Sequence, residues 1–187
     1  MLFRSAGIDF PRLAPAAIDL PMGFKTGAGV IFGTTGGVSE AVLRYAYEAL
    51  TGKSAAAIEF RDVRGEAGRR CAAVRLGETE LRLVVVHSLQ QAKKVAEEVA
   101  AGRLEADLVE VMACPGGCVG GAGQPVTTDP EVRRARAAGL YDADRNLQLH
   151  ASQDNPFIKA CYAGTLDGIG GPKAHGLLHT QIGRAHV

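Results

Sequence analysis

Between Glu110 and Pro125 the chain runs Glu-Val-Met-Ala-Cys-Pro-Gly-Gly-Cys-Val-Gly-Gly-Ala-Gly-Gln-Pro, with five glycines and two cysteines in that one stretch. A run so poor in side chains cannot bury itself and has to fold as a loop against another part of the molecule. Cys114 and Cys118 are separated by Pro115, Gly116 and Gly117. Glycines without a Cβ let the backbone turn tightly enough for two thiolates four positions apart to reach one inorganic centre. Gly120, Gly121 and Gly123 would bring backbone amides up to the sulfurs, where such hydrogen bonds tune an iron–sulfur site. The competing description is a plain glycine turn with two incidental buried cysteines. A purely structural turn has little use for so many glycines together with two thiols.

The rest of the chain limits what such a loop can serve. With 187 residues and 47% apolar side chains, one ordinary domain with a sizeable core is expected. The 21 Lys and Arg balance 20 Asp and Glu, which argues against a nucleic-acid partner or an anionic membrane surface. No apolar run nears the ~18–20 residues of a membrane span. The opening from Met1 to Phe10 lacks the apolar stretch and cleavage site of a secretory signal, so a cytoplasmic setting is expected. In that setting the four cysteines, Cys71, Cys114, Cys118 and Cys161, do not read as two disulfides, and the spacing of Cys114 and Cys118 reads as metal ligation or redox chemistry.

Periodicity gives a coarse map. Met1 to Gly23 is an irregular, Pro-rich lead-in, and Gly29–Gly33 is a short apolar run that reads as a buried strand. Thr34-Thr35-Gly36-Gly37 then turns into a helix whose apolar positions Val38, Ala41, Val42, Tyr45, Ala46 and Ala49 recur at three- and four-residue steps, closed by Gly52. Ala57–Val63 partly alternates. Cys71–Leu76 and Leu81–His87 predict a hairpin through Gly77, Gln90–Ala101 a helix ended by Gly102, and Leu108–Met112 a strand feeding the cysteine loop. Asp129 is an N-cap candidate, with Pro130 opening a charged helix to Asn146; two short helical segments follow a polar link. Strands alternating with helices imply an α/β layer architecture.

Other constellations read more plainly. His175 and His179 stand four apart but lack a third ligand, so capping and packing explain them better than metal. His87 ends an apolar strand and reads as a hydrogen-bonded core histidine. Arg133, Arg134 and Arg136 read as the solvated face of a charged helix. The turn from Phe32 to Gly37 could cradle a phosphate on its amides, but it lacks the Lys-Ser/Thr of a P-loop, leaving nucleotide binding a weak third option.

The cysteine loop resembles the third cysteine signature of the iron-only (FeFe) hydrogenases, E-x-M-A-C-x-x-G-C-x-x-G-G-G-Q-P. One specified position departs, where Ala122 stands for a glycine. The resemblance implies that Cys114 and Cys118 are metal ligands of an H-cluster, a 4Fe-4S cubane joined to a two-iron subcluster with carbonyl and cyanide ligands. Cys114 would ligate the cubane and Cys118 bridge it to the subcluster, with Met112 packing nearby. Phe32, Gly33, Gly117, Gly121 and Gln124 would line the cofactor. Strain is expected at Ala122. Thr26–Ala41 is similar to the family's T-G-x-A-x-I-F-G-x-T-G-G-V-x-E-A segment, and Asn155–Thr180 to its small-subunit-like tail.

Two family signatures, T-S-C-C-P and M-P-C-x-x-K, do not occur. Cys71 and Cys161 match neither context and read as small buried hydrophobes. The resemblance therefore implies a fold of α/β class, one lobe of the hydrogenase catalytic domain over residues 1–149 with a helical wrap over 150–181. Residues 182–187 read as a sequencing-adapter artefact. The implied function is reversible dihydrogen oxidation and proton reduction in an anaerobic, iron–sulfur oxidoreductase, this chain holding two of four cluster cysteines and inactive alone. Implied partners are the missing N-terminal part of the same subunit and ferredoxin or NAD(P)-linked electron-transfer subunits. The alternative is a non-catalytic electron carrier of the thioredoxin-like 2Fe-2S type, although the earlier C-x-x-x-x-C pair of those modules is lacking.

Overall fold

The computed structural model describes residues 5–17, 19–55, 59–127 and 129–179. In chain order it contains α1 (Gly27–Ile31), α2 (Gly37–Thr51), β1 (Arg69–Leu76), β2 (Thr79–His87), α3 (Leu89–Ala100), β3 (Leu108–Met112), α4 (Pro130–Asn146), α5 (Pro156–Ala163) and α6 (Pro172–Leu178). The architecture is α/β. β1 pairs antiparallel with β2, and β2 pairs parallel with β3, aligning Val85 with Glu110 and His87 with Met112.

Both faces of this sheet are covered. On one, Leu43 of α2 packs with Phe60, Val63, Val74, Leu76, Leu83 and Val85; on the other, Val84 and Val86 meet Val95 of α3. Leu83 to Val86 are consequently all buried, as a strand between two helical layers must be. Each such side chain withdrawn from water contributes roughly 1.5–3 kcal/mol. The centre strand thus fixes β3, whose end launches the cysteine loop.

The hairpin, α2 with its Gly52 cap, α3, β3 and the α4 start stand where the sequence puts them, Asp129 accepting the Glu131 amide and Pro130 opening the helix. Several expectations change. Gly29–Gly33 is not a strand: Thr26 accepts the Gly29 amide and caps α1, and a short apolar run does not by itself distinguish strand from helix. Beyond Ala57 and Ile58, which lie outside the described residues, Arg61–Val63 forms a 3-10 turn. In α2 the predicted apolar face is split: Ala46 packs on the core while Val42 and Tyr45 are exposed. Cys71 is exposed and Cys161 half-buried, so neither is a buried hydrophobe; Cys71 lies on the outward side of β1, alternating with buried Val74 and Leu76. Residues 182–187, read as an artefact, lie outside the described residues.

Candidate metal centre

β3 delivers Met112 to the loop, where Cys114-Pro115-Gly116-Gly117 closes a turn, the Gly117 amide donating to the Cys114 carbonyl at 3.0 Å. Proline followed by a glycine at φ +78° is the type II pattern, which needs a residue without a Cβ at its third position. A 3-10 turn over Cys118–Gly120 follows, and all four cysteines are free thiols. Cys114 is half-buried and Cys118 exposed.

The loop lies backbone to backbone on the turn that opens α2. The Thr35 amide donates to the Gly116 carbonyl at 3.0 Å and the Val119 amide to the Gly33 carbonyl at 3.2 Å. Gly117 explains the closeness. It sits at φ +90°, and a Cβ there would stand 2.8 Å from the Gly33 oxygen. Phe32, the residue before Gly33, is 45% exposed, its side chain lining a cavity with Val42, Tyr45 and Ile158. The sequence motifs around Phe32-Gly33 and Cys114–Cys118 therefore meet in space.

Gly121 backs the first sulfur, since a Cβ there would lie 3.3 Å from Cys114 Sγ. The Gly120 and Gly121 amides donate to the carbonyls of Gly117 and Cys118, not to sulfur as the glycine run suggested, because the 3-10 turn uses them. Gln124 is exposed, its amide donating to the Gly121 carbonyl. Ala122 carries no backbone strain: among the described residues the non-glycines at positive φ are Ser88 and Asp167. The arginine cluster is a solvated face only in part: Arg134 is exposed, while Arg133 and Arg136 turn onto the loop. Arg136 donates to the Val119 and Pro125 carbonyls, Arg134 pairs with Glu66 and Glu131, and Arg133 packs against Gly120. His87 is bonded to the Glu66 carbonyl, and the His175 and His179 rings meet tilted at 40° with centroids 4.1 Å apart.

Beneath the turn lies a charge cluster that motif reading left unassigned. Arg44 donates to both Asp144 carboxylate oxygens, at 2.9 and 2.6 Å, and to Glu40 at 2.9 Å, while Arg64 clasps Glu40 with two bonds of 2.7 Å. Arg64 also stacks over the Tyr141 ring, whose hydroxyl lies 3.0 Å from Thr34 Oγ1. Burial would raise the Asp144 carboxyl, but the hydrogen bond and charge of Arg44, joined by His150, hold it below the usual aspartate range. Burial likewise raises the Tyr141 hydroxyl. The one sequence signal was the Glu40–Arg44 spacing along a helix. Nothing local marks Asp144 as their partner.

The donor set suits half of an iron–sulfur site, with two soft sulfurs against a cradle that a Cβ would fill. Among the described residues no group of three or more His, Cys, Asp or Glu could hold a metal ion.

Comparison with known proteins gives the family. Residues 1–122 match the family model "Iron only hydrogenase large subunit, C-terminal domain", and residues 130–181 match "Iron hydrogenase small subunit". The chain is 42% identical to NADP-reducing hydrogenase subunit HndD of Solidesulfovibrio fructosivorans, over 96% of this chain and 31% of that protein. It is 48% identical to the Periplasmic [Fe] hydrogenase large subunit of Nitratidesulfovibrio vulgaris, over 67% of this chain and 30% of that one. Cytosolic iron-sulfur assembly component 3 of Rattus norvegicus is 32% identical over 80% of this chain and 31% of its own length. The solved [FeFe]-hydrogenase HydA1 from Chlamydomonas reinhardtii superposes with a TM-score of 0.63 at 37% identity, covering 96% of this chain and 52% of that one. The chain belongs to the iron-only hydrogenase family and carries a C-terminal part of its large subunit. It spans about a third of the length of these curated relatives. Among the described residues no helix is long and apolar enough to cross a membrane.

Proposed function

We propose that this chain supplies part of the cage for an H-cluster in a hydrogenase catalytic subunit, Cys114 and Cys118 being two of its iron-ligating thiols. Cys114 is read as a ligand of the 4Fe-4S cubane and Cys118 as the thiolate shared between cubane and two-iron subcluster. When bound, that group supplies the chemistry interconverting dihydrogen with protons and electrons. The chain's own residues do the rest. The Pro115–Gly117 turn presents the two sulfurs, Gly33 and Gly117 allow the loop and the α2 turn to approach, and Phe32, next to Gly33, is read as lining the cofactor. Met112 and Gln124 flank the thiols at either end of the loop. The observation that carries the reading is the docking of Gly116 and Val119 onto Gly33 and Thr35, which joins two motifs some 80 positions apart.

Two further thiols are to come from the preceding part of the same subunit, which fits the share of its relatives that this chain covers. HndD's description as NADP-reducing favours an NAD(P)-linked electron partner, with ferredoxin as the alternative. Anaerobic production with cluster-maturation enzymes followed by a hydrogen-evolution assay tests the reading. The chain alone should be inactive and a chimera replacing the C-terminal third of HndD active; activity from the isolated chain would refute the shared-cage reading. A non-catalytic iron–sulfur role is the second reading, favoured by the likeness to Cytosolic iron-sulfur assembly component 3. It requires a chimera that binds iron yet evolves no hydrogen.

A further inference from the structure

We infer that Glu110 is the positioning residue of the thiol loop, its carboxylate setting where the Phe32–Gly37 turn stands relative to Cys114 and Cys118. The bearing on iron rests on the proposed function; the positioning itself rests on geometry alone. Glu110 lies on β3, four residues before Cys114, and is 6% exposed. Its Oε1 accepts the Gly36 amide at 2.6 Å and its Oε2 the Ser39 amide at 2.7 Å.

Those two amides belong to the N-cap and third positions of α2, and the N-cap is a glycine with no side chain to offer. A local capping box satisfies the same two donors with two residues; here one carboxylate does so from a strand over 70 positions away. The negative charge also faces the positive end of a 15-residue helix. Among the described residues Glu110 forms no ion pair, so amides are its partners. The nearby Arg70 guanidinium goes instead to the Thr35, Val63 and Ala67 carbonyls.

These contacts close a ring. From Glu110 the chain runs to Cys114 and Gly116; Gly116 and Val119 bond to Thr35 and Gly33; one residue past Thr35, Gly36 returns to Glu110. β3 is itself pinned by the ladder to β2, Glu110 standing opposite Val85. With the carboxylate removed, the turn keeps its two backbone bonds to the loop and its contacts with Arg70 and Tyr141, but α2 starts with two buried amides unanswered. The thiol loop then loses the platform that fixes it, while the sheet and α3 keep theirs.

Per-cysteine alkylation of the metal-free full chain by iodoacetamide, read by mass spectrometry, tests this without iron. Cys71 and Cys161, away from the ring, are internal references. Glu110→Gln retains the shape but not the charge, and should speed alkylation of half-buried Cys114 about tenfold relative to both references. Amide exchange over residues 33–39 and 114–121 should rise together. Glu110→Asp, keeping the charge on a shorter arm, should fall between wild type and Gln; should Gln not fold, Asp carries the test at matched stability in urea. Asp144→Asn, which weakens the fold outside the ring, should leave the ratio of Cys114 to reference rates unchanged. A ratio unmoved in the Glu110 variants, or moved equally by Asp144→Asn, overturns the assignment. Because no cluster is involved, that outcome leaves the hydrogenase reading standing, and a chimera without cluster leaves this one standing.

Discussion

The junction of the cysteine loop with the α2 turn and the seam between α2 and α4 lie close together yet are fastened by opposite means. The loop junction is built of backbone: two amide–carbonyl bonds and a glycine contact too close for any Cβ. The seam is built of charge, with Arg44 between Glu40 and Asp144 and Arg64 locked on Glu40. Backbone docking fixes shape and leaves sulfur free to bind. Ionic docking ties the segment matching the small subunit to the body that bears the loop, through groups costly to bury unpaired. Position at the thiols and cohesion between the two segments are thus set by separate residues.

The largest test of that separation is Asp144→Ala. Leaving Arg44 buried with Glu40 as its one carboxylate, beside the His150 carbonyl, should cost about 3–5 kcal/mol in urea unfolding. A loss near zero would show that the seam carries little. Gly117→Ala should come next, at roughly 2–4 kcal/mol from the left-handed backbone and the overlap with Gly33. Its signature should be local, with faster amide exchange at Thr35 and Val119 and the α2–α4 seam retained; exchange spreading to α4 would merge the two regions into one unit.

The seam should respond to acid. Asp144 titrates below the ordinary aspartate value in the folded state, so its stabilisation is complete above that value, about pH 3.9, and lost as pH falls through the lower folded value. Asp144→Asn should lower stability near neutrality and flatten the acid limb of a stability–pH curve. A variant as acid-sensitive as wild type would move the effect elsewhere. Smallest is Cys71→Ser on the outward side of β1, expected within about 0.5 kcal/mol of wild type. A larger change would mean that this thiol has a role the sheet does not show.

The sequence revealed most where backbone demands are local. Asp129-Pro130, Gly52 and the Gly77 hairpin each announce their element through capping or turn chemistry, and the glycines around Cys118 announce a close approach. It misled where burial is decided from afar. Gly29–Gly33 looks like a strand because four to eight apolar residues suit either element, and the Thr26 cap decides for helix. Arg133 and Arg136 look like a wetted helix face, since nothing in their spacing shows the loop carbonyls of Val119 and Pro125 waiting opposite. Glu110 was visible as a motif letter, but its work depends on a glycine N-cap far upstream. Asp144 lies a hundred positions from Arg44, and no periodicity links them.

Infrared spectroscopy of a chimera joining this chain to the preceding part of HndD, matured anaerobically, tests the central claim most directly. Carbonyl and cyanide bands should appear with Cys114 and Cys118 intact and vanish when both are serine, the fold surviving as judged by circular dichroism. Bands of undiminished intensity in the double variant would contradict the assignment of these two sulfurs to iron.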